Sequence, residues 1–136
     1  MTFRALALAI ALIGALSAGT VSAQDPSLPT GKPIVLKPKM KLVDIKGVLQ
    51  FIGGVELRGT EVDAFLDTRK ALVDVVETNT KGGKKDDDVI TFDIRLDQAN
   101  NLYQLMNRGT VKGAEAEKFK EIMTALQEAA KAAQPK

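Results

Sequence analysis

The stretch that decides the fold is Val89–Arg108, which reads VITFDIRLDQANNLYQLMNR. Its first half alternates apolar and polar residues, the period of a β-strand with one buried and one exposed face. After Leu96 the apolar residues recur at helical spacing, and Asp97 is a residue type that favours a helix N-cap. The stretch therefore predicts a strand that runs directly into a short helix. The buried positions are expected to be Ile90, Phe92, Ile94 and Leu96 on the strand and Ala99, Leu102, Tyr103 and Met106 on the helix.

The first 23 residues have the layout of a secretory signal peptide. Arg4 precedes an apolar run, and small residues stand just before Gln24. We expect cleavage after Ala23 and a periplasmic or extracellular location. An uncleaved membrane anchor is the alternative, but so short a run, ending in Gly, Ser and Thr, is a poor match to a hydrocarbon core of roughly 30 Å.

Cleavage would leave 136 − 23 = 113 residues, the size of one domain with a modest core. The whole chain has 19 basic and 17 acidic residues, and this near-neutral balance argues against a dedicated nucleic-acid binder. The chain has no cysteine, so no disulfide can stabilise it. We expect stability to come from packing, including packing against a second copy of the chain.

Residues 24–41 are predicted to form an extended, mobile arm rich in proline and lysine, ahead of a single domain over residues 42–136. Prolines at this density preclude a helix and interrupt a strand ladder. The basic side chains could bind lipid head groups or another polyanion; a soluble basic N-terminus without a binding role is the alternative. The lysines concerned are Lys32, Lys37, Lys39, Lys41 and Lys46.

The next segment, Leu42–Leu57, is apolar and β-branched but is broken by glycines. Two short strands around a glycine turn are predicted, Leu42–Phe51 and Val55–Leu57. A short amphipathic helix over Ile45–Phe51 is the alternative.

Two longer helices flank the central strand in the sequence. The first is predicted to begin at Thr60, which forms a capping pair with Asp63, and to end near Glu77. The second is predicted over residues 114–133, where an apolar stripe combines with high helix propensity.

Between the first helix and the central strand, residues 78–88 read TNTKGGKKDDD. Gly82 and Gly83 are expected to supply the left-handed conformations of a chain reversal, with the charged run in water.

A possible internal repeat relates residues 57–72 to the segment that begins at Val111, with Gly59 aligned on Gly113. It suggests a duplicated unit whose helices pair within one chain or between chains. The alternative is that any two amphipathic helices entered through a glycine turn would match this well. The candidate helix-pairing positions are Val62, Phe65, Leu72 and Val76, and Phe119, Met123, Leu126 and Ala130.

The sequence contains few residues that could serve in catalysis or bind a metal ion. The chain has no His or Cys, and beyond the signal peptide its one serine is Ser27, so triad catalysis is excluded and zinc or copper ligands are nearly absent. The run Asp86–Asp88, even with Asp93, lacks the alternating spacing of a calcium loop, so we predict no catalytic, cofactor or metal site.

These features predict a small α+β domain: an antiparallel sheet of two to four short strands, covered on one face by two longer helices and one short helix. The predicted function is a non-enzymatic, exported interaction or structural module of a bacterial cell envelope that self-associates or binds another envelope protein. An anionic-surface binder acting through the lysine-rich arm is the alternative, with at most peripheral membrane contact, and a carboxylate-dependent metalloenzyme is a remote third. The predicted core is Val55, Leu57, Phe65, Leu72, Ile90, Phe92, Ile94, Leu96, Leu102, Phe119, Met123 and Leu126.

Overall fold

The computed structural model describes residues 32–134, so the expected signal peptide and the first part of the arm lie outside the described residues. Over these described residues the fold is α+β, as predicted, with short antiparallel strands and four helices. The strands are β1 (Val35–Leu36), β2 (Lys39–Lys41), β3 (Val89–Thr91) and β4 (Ile94–Arg95). The helices are α1 (Leu42–Gly53), α2 (Val62–Lys81), α3 (Leu96–Arg108) and α4 (Ala116–Ala133).

The four strands form one two-stranded ribbon with a single break. β1 pairs with β4 and β2 pairs with β3 in the same antiparallel register, so that Pro38 faces Phe92 between the two pairs. The Phe92 N–H donates to the Pro38 carbonyl at 3.2 Å, but proline has no N–H to donate in return. Pro38 therefore interrupts the ladder, as the sequence predicted for prolines in this segment.

The ribbon has one buried face and one exposed face. The buried side chains are Leu36, Pro38, Met40, Ile90, Phe92 and Ile94. The predicted alternation in the central strand is thus confirmed, and so is its direct continuation into a helix, because α3 begins at Leu96. Leu96 itself is only half-buried.

The prediction that Asp97 caps this helix is wrong. The N-cap is Arg95, whose backbone N–H donates to the side-chain oxygen of Gln98 at 3.1 Å. Asp97 instead lies in the first helical turn.

Part of the predicted arm belongs to the packed structure. Residues 35–36 and 39–41 are extended, as expected, but they are paired strands, and Leu36 is only 1% exposed. The prolines by themselves indicate a mobile segment, but Leu36, Pro38 and Met40 also repeat with the period of two that suits a ribbon edge.

The strand prediction for Leu42–Phe51 is wrong, and the helical alternative is the observed form. Leu42, Ile45, Val48 and Ile52 are buried on one face of α1. Gly47 destabilises a helix by about 1 kcal/mol relative to alanine. The burial of these four aliphatic side chains stabilises the helix by more than this amount. The predicted strand at Val55–Leu57 is irregular chain with half-buried apolar residues.

Helix α2 starts and ends later than predicted. A 3₁₀ turn, Gly59–Glu61, precedes it, and the Glu61 carboxylate, rather than the Thr60 hydroxyl, makes the capping bond by accepting from the Arg58 N–H at 2.8 Å. The helix continues to Lys81, four residues past Glu77. Gly83 then adopts the expected left-handed conformation with φ 83°, whereas Gly82 does not (φ −76°).

The helices pack in an uneven arrangement around α3. Helix α2 packs against α1 and α3, while α4 packs against α3, β1 and β2. Of the predicted core, Leu72, Leu102, Met123 and Leu126 are buried together with the strand residues above, while Val55, Leu57, Phe65, Leu96 and Phe119 pack partly buried around them. Ala99 and Met106 are buried, as expected for the helix that follows the strand, and so are Ile122 and Ala129 on the apolar stripe of the last helix. The core members that were not predicted are Leu36, Met40, Leu42, Ile45, Val48, Ile52 and Leu105.

The repeat extends over the whole folded unit. Gly59 and Gly113 both begin a 3₁₀ turn that leads into a long helix, and their residue numbers differ by 54. The same shift places β1 on β3, β2 beside β4, and the first residue of α1, Leu42, on the first residue of α3, Leu96. Each half therefore has the order strand, strand, helix, 3₁₀ turn, helix, which the chance match of two amphipathic helices does not explain.

The ribbon register follows this internal symmetry. A shift of 54 exchanges the pair Val35 and Arg95 with the pair Lys41 and Val89, and both pairs face each other in the ladder. The two halves are thus related by an approximate twofold axis at Pro38 and Phe92. Each half supplies apolar side chains that cover the other, as two subunits of a dimer do.

Candidate functional site: the solvent face of the ribbon

The outer face of the ribbon is the part of the sheet that the described helices leave uncovered. We call it the ribbon face. On one strand its residues are Val35, Lys37, Lys39 and Lys41, and opposite them lie Arg95, Asp93, Thr91 and Val89. All are exposed except Arg95, which is half-buried. The hydrogen bond from Phe92 to Pro38 shows that residue pairs with buried side chains are the hydrogen-bonded pairs of the ladder. The pairs on the ribbon face are therefore the non-hydrogen-bonded ones, whose side chains approach each other more closely.

The charges on this face are only partly compensated. The Lys37 ammonium lies 2.7 Å from the Asp93 carboxylate across the ribbon, and both side chains are about two-thirds exposed. Such a pair contributes about 0–1 kcal/mol. Lys39 and Lys41 form no ion pair with the described residues, and each faces an uncharged residue, Thr91 or Val89.

Arg95 ties one end of the ribbon to the helices. Its guanidinium donates to Asp67 of α2 at 2.6 Å and to Asp97 of α3 at 2.9 Å. The hydrogen bond from Arg95 holds the pKa of Asp97 below its ordinary value, and the two carboxylates raise the pKa of the guanidinium. Arg95 is therefore a structural cation. The lysines of the face without an ion pair to a described residue are Lys39 and Lys41, of which Lys41 is within electrostatic range of Glu121 on α4.

The two remaining predicted lysines are not residues of the ribbon. Lys46 on α1 is paired with Asp86 at 2.5 Å. Lys32 is exposed and precedes the packed unit, which begins at Pro33. Of the five predicted anionic contacts, the structure thus brings three together on one strand.

The predicted helix-pairing positions differ in how deeply they are buried. Leu72, Met123 and Leu126 are buried inside the chain. The other positions are Phe65, Val76, Phe119 and Ala130, which are half-buried, and Val62, which is 39% exposed. Phe119 packs on Phe51 of α1 with ring centroids 5.6 Å apart, so α4 meets α1 at this position.

A small open groove of about 210 Å³ lies between α3 and α4. Tyr103 and Gln127 meet at it, with the Gln127 amide donating to the Tyr103 hydroxyl at 3.0 Å. In the first half of the chain the positions equivalent to Ala99 and Ala130 are Ile45 and Val76. The groove thus arises where the second half has smaller side chains.

Among residues 32–134, no cluster of three or more acidic side chains is arranged to hold a metal ion. The Asp86–Asp88 run lies in the exposed turn that was predicted for it. No helix in the described part of the chain is both long and apolar enough to span a bilayer.

Comparison with known proteins returned no match to any protein family, curated protein or solved structure.

Local sequence patterns did not predict that Val89 and Thr91 share a surface with the lysines. The 54-residue repeat indicates this shared surface, because it aligns Val35 with Val89 and Leu42 with Leu96, upstream of the predicted repeat over residues 57–72. Extended in that direction, the repeat predicts a second strand in the arm.

Proposed function

We propose that the protein is an exported, non-enzymatic interaction module of a bacterial cell envelope, and that it engages its partner through the ribbon face. The observation that carries the proposal is the exposure of this face from Val35 to Lys41 on one strand and from Val89 to Asp93 on the other. A two-stranded ribbon with one face packed and one face bare resembles half of a sandwich whose second layer another surface can supply. Export rests on the signal-peptide layout of the first 23 residues.

The partner is expected to combine negative charge with apolar surface. Lys39 and Lys41 offer positive charge that forms no ion pair with the described residues, while Val35 and Val89 are 41% and 62% exposed at opposite ends of the face. Singly exposed apolar residues are common on protein surfaces, but here they occupy the same face as the lysines.

Site-specific photocrosslinking in the host tests this proposal. A photoreactive side chain is placed at Thr91 on the ribbon face or, as the control, at Glu128 on the exposed side of α4. We expect the mature chain, beginning at Gln24, in the exported fraction, and one defined adduct from position 91 that position 128 does not give. Equal labelling at the two positions, or none at 91, would contradict the assignment of the face.

Self-association is a second candidate, supported by a specific surface on α2. Leu66 is 51% exposed and Val62 is 39% exposed, whereas the equivalent residues of α4 are Lys120 and Ala116. Replacing Leu66 by Lys copies the second half of the chain without changing the core. Sedimentation velocity should show a wild-type dimer that L66K weakens; a wild-type chain that stays monomeric across the micromolar range excludes this candidate.

A further inference from the structure

We propose that the ribbon face binds the surface of a bilayer that contains anionic lipids, with its lysines at the head groups and its two exposed valines at the interface. This inference rests on the proposed function, because it names the partner of the same face. It differs from the arm-based alternative in the sequence analysis, since it uses a folded ribbon and residues from both strands.

The lysines are arranged along one line. Lys37, Lys39 and Lys41 occupy successive outward positions of one strand, about 7 Å apart. A row with this spacing can approach a flat charged surface as a unit, because the strand fixes the side-chain origins. Near an anionic leaflet, each lysine strengthens binding by a factor of roughly five.

Acidic groups near the face reduce this attraction, but none of the described ones forms an ion pair with Lys39 or Lys41. Glu121 of α4, which is paired with Lys118, is within electrostatic range of Lys41. The Asp93 carboxylate forms an ion pair with Lys37, and the carboxylate of Asp86, which precedes β3, forms one with Lys46. Asp87 is exposed, and the Asp88 carboxylate accepts a bond from the Lys85 N–H at 2.8 Å. The positive charge that no described carboxylate pairs with, next to Thr91 and Val89, is that of Lys39 and Lys41.

The valines distinguish a lipid surface from a soluble polyanion. A polysaccharide or nucleic acid in water gains little from contact with Val35 and Val89, whereas a bilayer interface receives apolar side chains flanked by cations. The two valines lie at opposite ends of the face, one on each strand, and both point outward with the lysines. Contact from this face would be peripheral.

Vesicle co-sedimentation with the mature chain tests the inference. The probes are phosphatidylcholine vesicles with and without phosphatidylglycerol. We expect binding only to the anionic vesicles and a steep decrease with salt. Replacing Lys39 and Lys41 by Gln should weaken binding roughly 30-fold. The control, Lys120→Gln with Lys131→Gln on α4, removes the same charge and should change binding less than twofold.

A second pair of variants tests the apolar contribution. Val89→Thr keeps a β-branched residue in the strand and should weaken vesicle binding by about threefold, whereas Val62→Thr on α2 should leave it unchanged. Thermal unfolding of each variant shows whether the fold is retained.

The outcomes separate this inference from the proposed function. If anionic vesicles do not bind while position 91 still crosslinks to one envelope protein, the lipid assignment is overturned and the interaction module stands. Binding to a soluble acidic polysaccharide but not to vesicles also overturns it. If neither vesicle binding nor a specific crosslink is found, both proposals fail.

Discussion

Leu36→Ala is the substitution that best tests whether residues 35–41 form a packed strand or a free arm. Leu36 is 1% exposed and belongs to the core, although it stands in a segment with four prolines. Removing a buried leucine side chain loses its transfer free energy and leaves a cavity that the surroundings fill only in part. A buried Leu→Ala change costs about 2–5 kcal/mol, and we expect roughly 3 kcal/mol here because α4 packs directly on β1.

For a domain of this size, about 3 kcal/mol lowers the unfolding midpoint by roughly 10–20 °C. The matched control is Val35→Ala, one residue earlier in the same strand and on the exposed face. Since Val35 is 41% exposed, its truncation should cost less than about 1 kcal/mol.

Both variants can be measured in the mature chain by urea denaturation followed by circular dichroism, together with thermal melts. The reasoning is refuted if Leu36→Ala lowers the free energy of unfolding by less than about 1 kcal/mol, or if the two variants are equivalent. Either result would mean that this segment does not pack on the core.

Two further predictions concern a glycine and the response to acid. A Cβ at Gly109 would collide with the ring of Phe51, whereas one at Gly113 would meet nothing within 4 Å. Gly109→Ala should therefore destabilise the domain by about 1–3 kcal/mol and Gly113→Ala should not, as thermal melts can show. The Arg58 N–H lowers the pKa of Glu61, and Arg95 lowers that of Asp97. A carboxyl whose pKa is lower when folded stabilises the fold above its unfolded pKa, so stability should fall as the pH drops below about 4; a midpoint that rises there would contradict this.

The central strand and α3 could be predicted because their signals are local. Alternation from Ile90 to Ile94 and the helical spacing of Leu102 and Met106 both survive in the structure. Helix ends were less predictable, since the observed caps depend on the Gln98 and Glu61 side chains rather than on the residues that composition favoured.

The partner strand and α1 could not be predicted from local signals, because tertiary contacts decide both. Pro33 and Pro38 favour a mobile segment when the local sequence is considered alone. The segment is ordered because a second strand pairs with it. The local sequence of Leu42–Gly53, with its β-branched residues and glycines, favours strands. The segment is helical because this form buries Ile45 and Ile52 in the core, where α1 contacts α2 and α3. The internal repeat is the long-range signal for both elements, but it was predicted only from residue 57 onward and not upstream of that residue.

The sequence named the lysines of the candidate site but not their arrangement, and their binding role stays a prediction. Three of the five lysines do lie together, but as one row of a ribbon rather than along a free tether. Their companions Val89 and Thr91 come from the other half of the chain, and only the register at Pro38 and Phe92 brings them to the same face.

The most direct test of the central claim, one ribbon built from both halves, uses the absence of cysteine from the chain. Lys39→Cys with Thr91→Cys places two thiols at an outward pair, where Cβ atoms lie about 4.5–5.5 Å apart. Val35→Cys with Val89→Cys uses the same face but leaves the thiols roughly 20 Å apart. Under mild oxidation, the ribbon predicts an intramolecular disulfide for positions 39 and 91 and none for 35 and 89, read by mass and by gel mobility. Failure of the first pair to close, or equal closure of both, would contradict the ribbon.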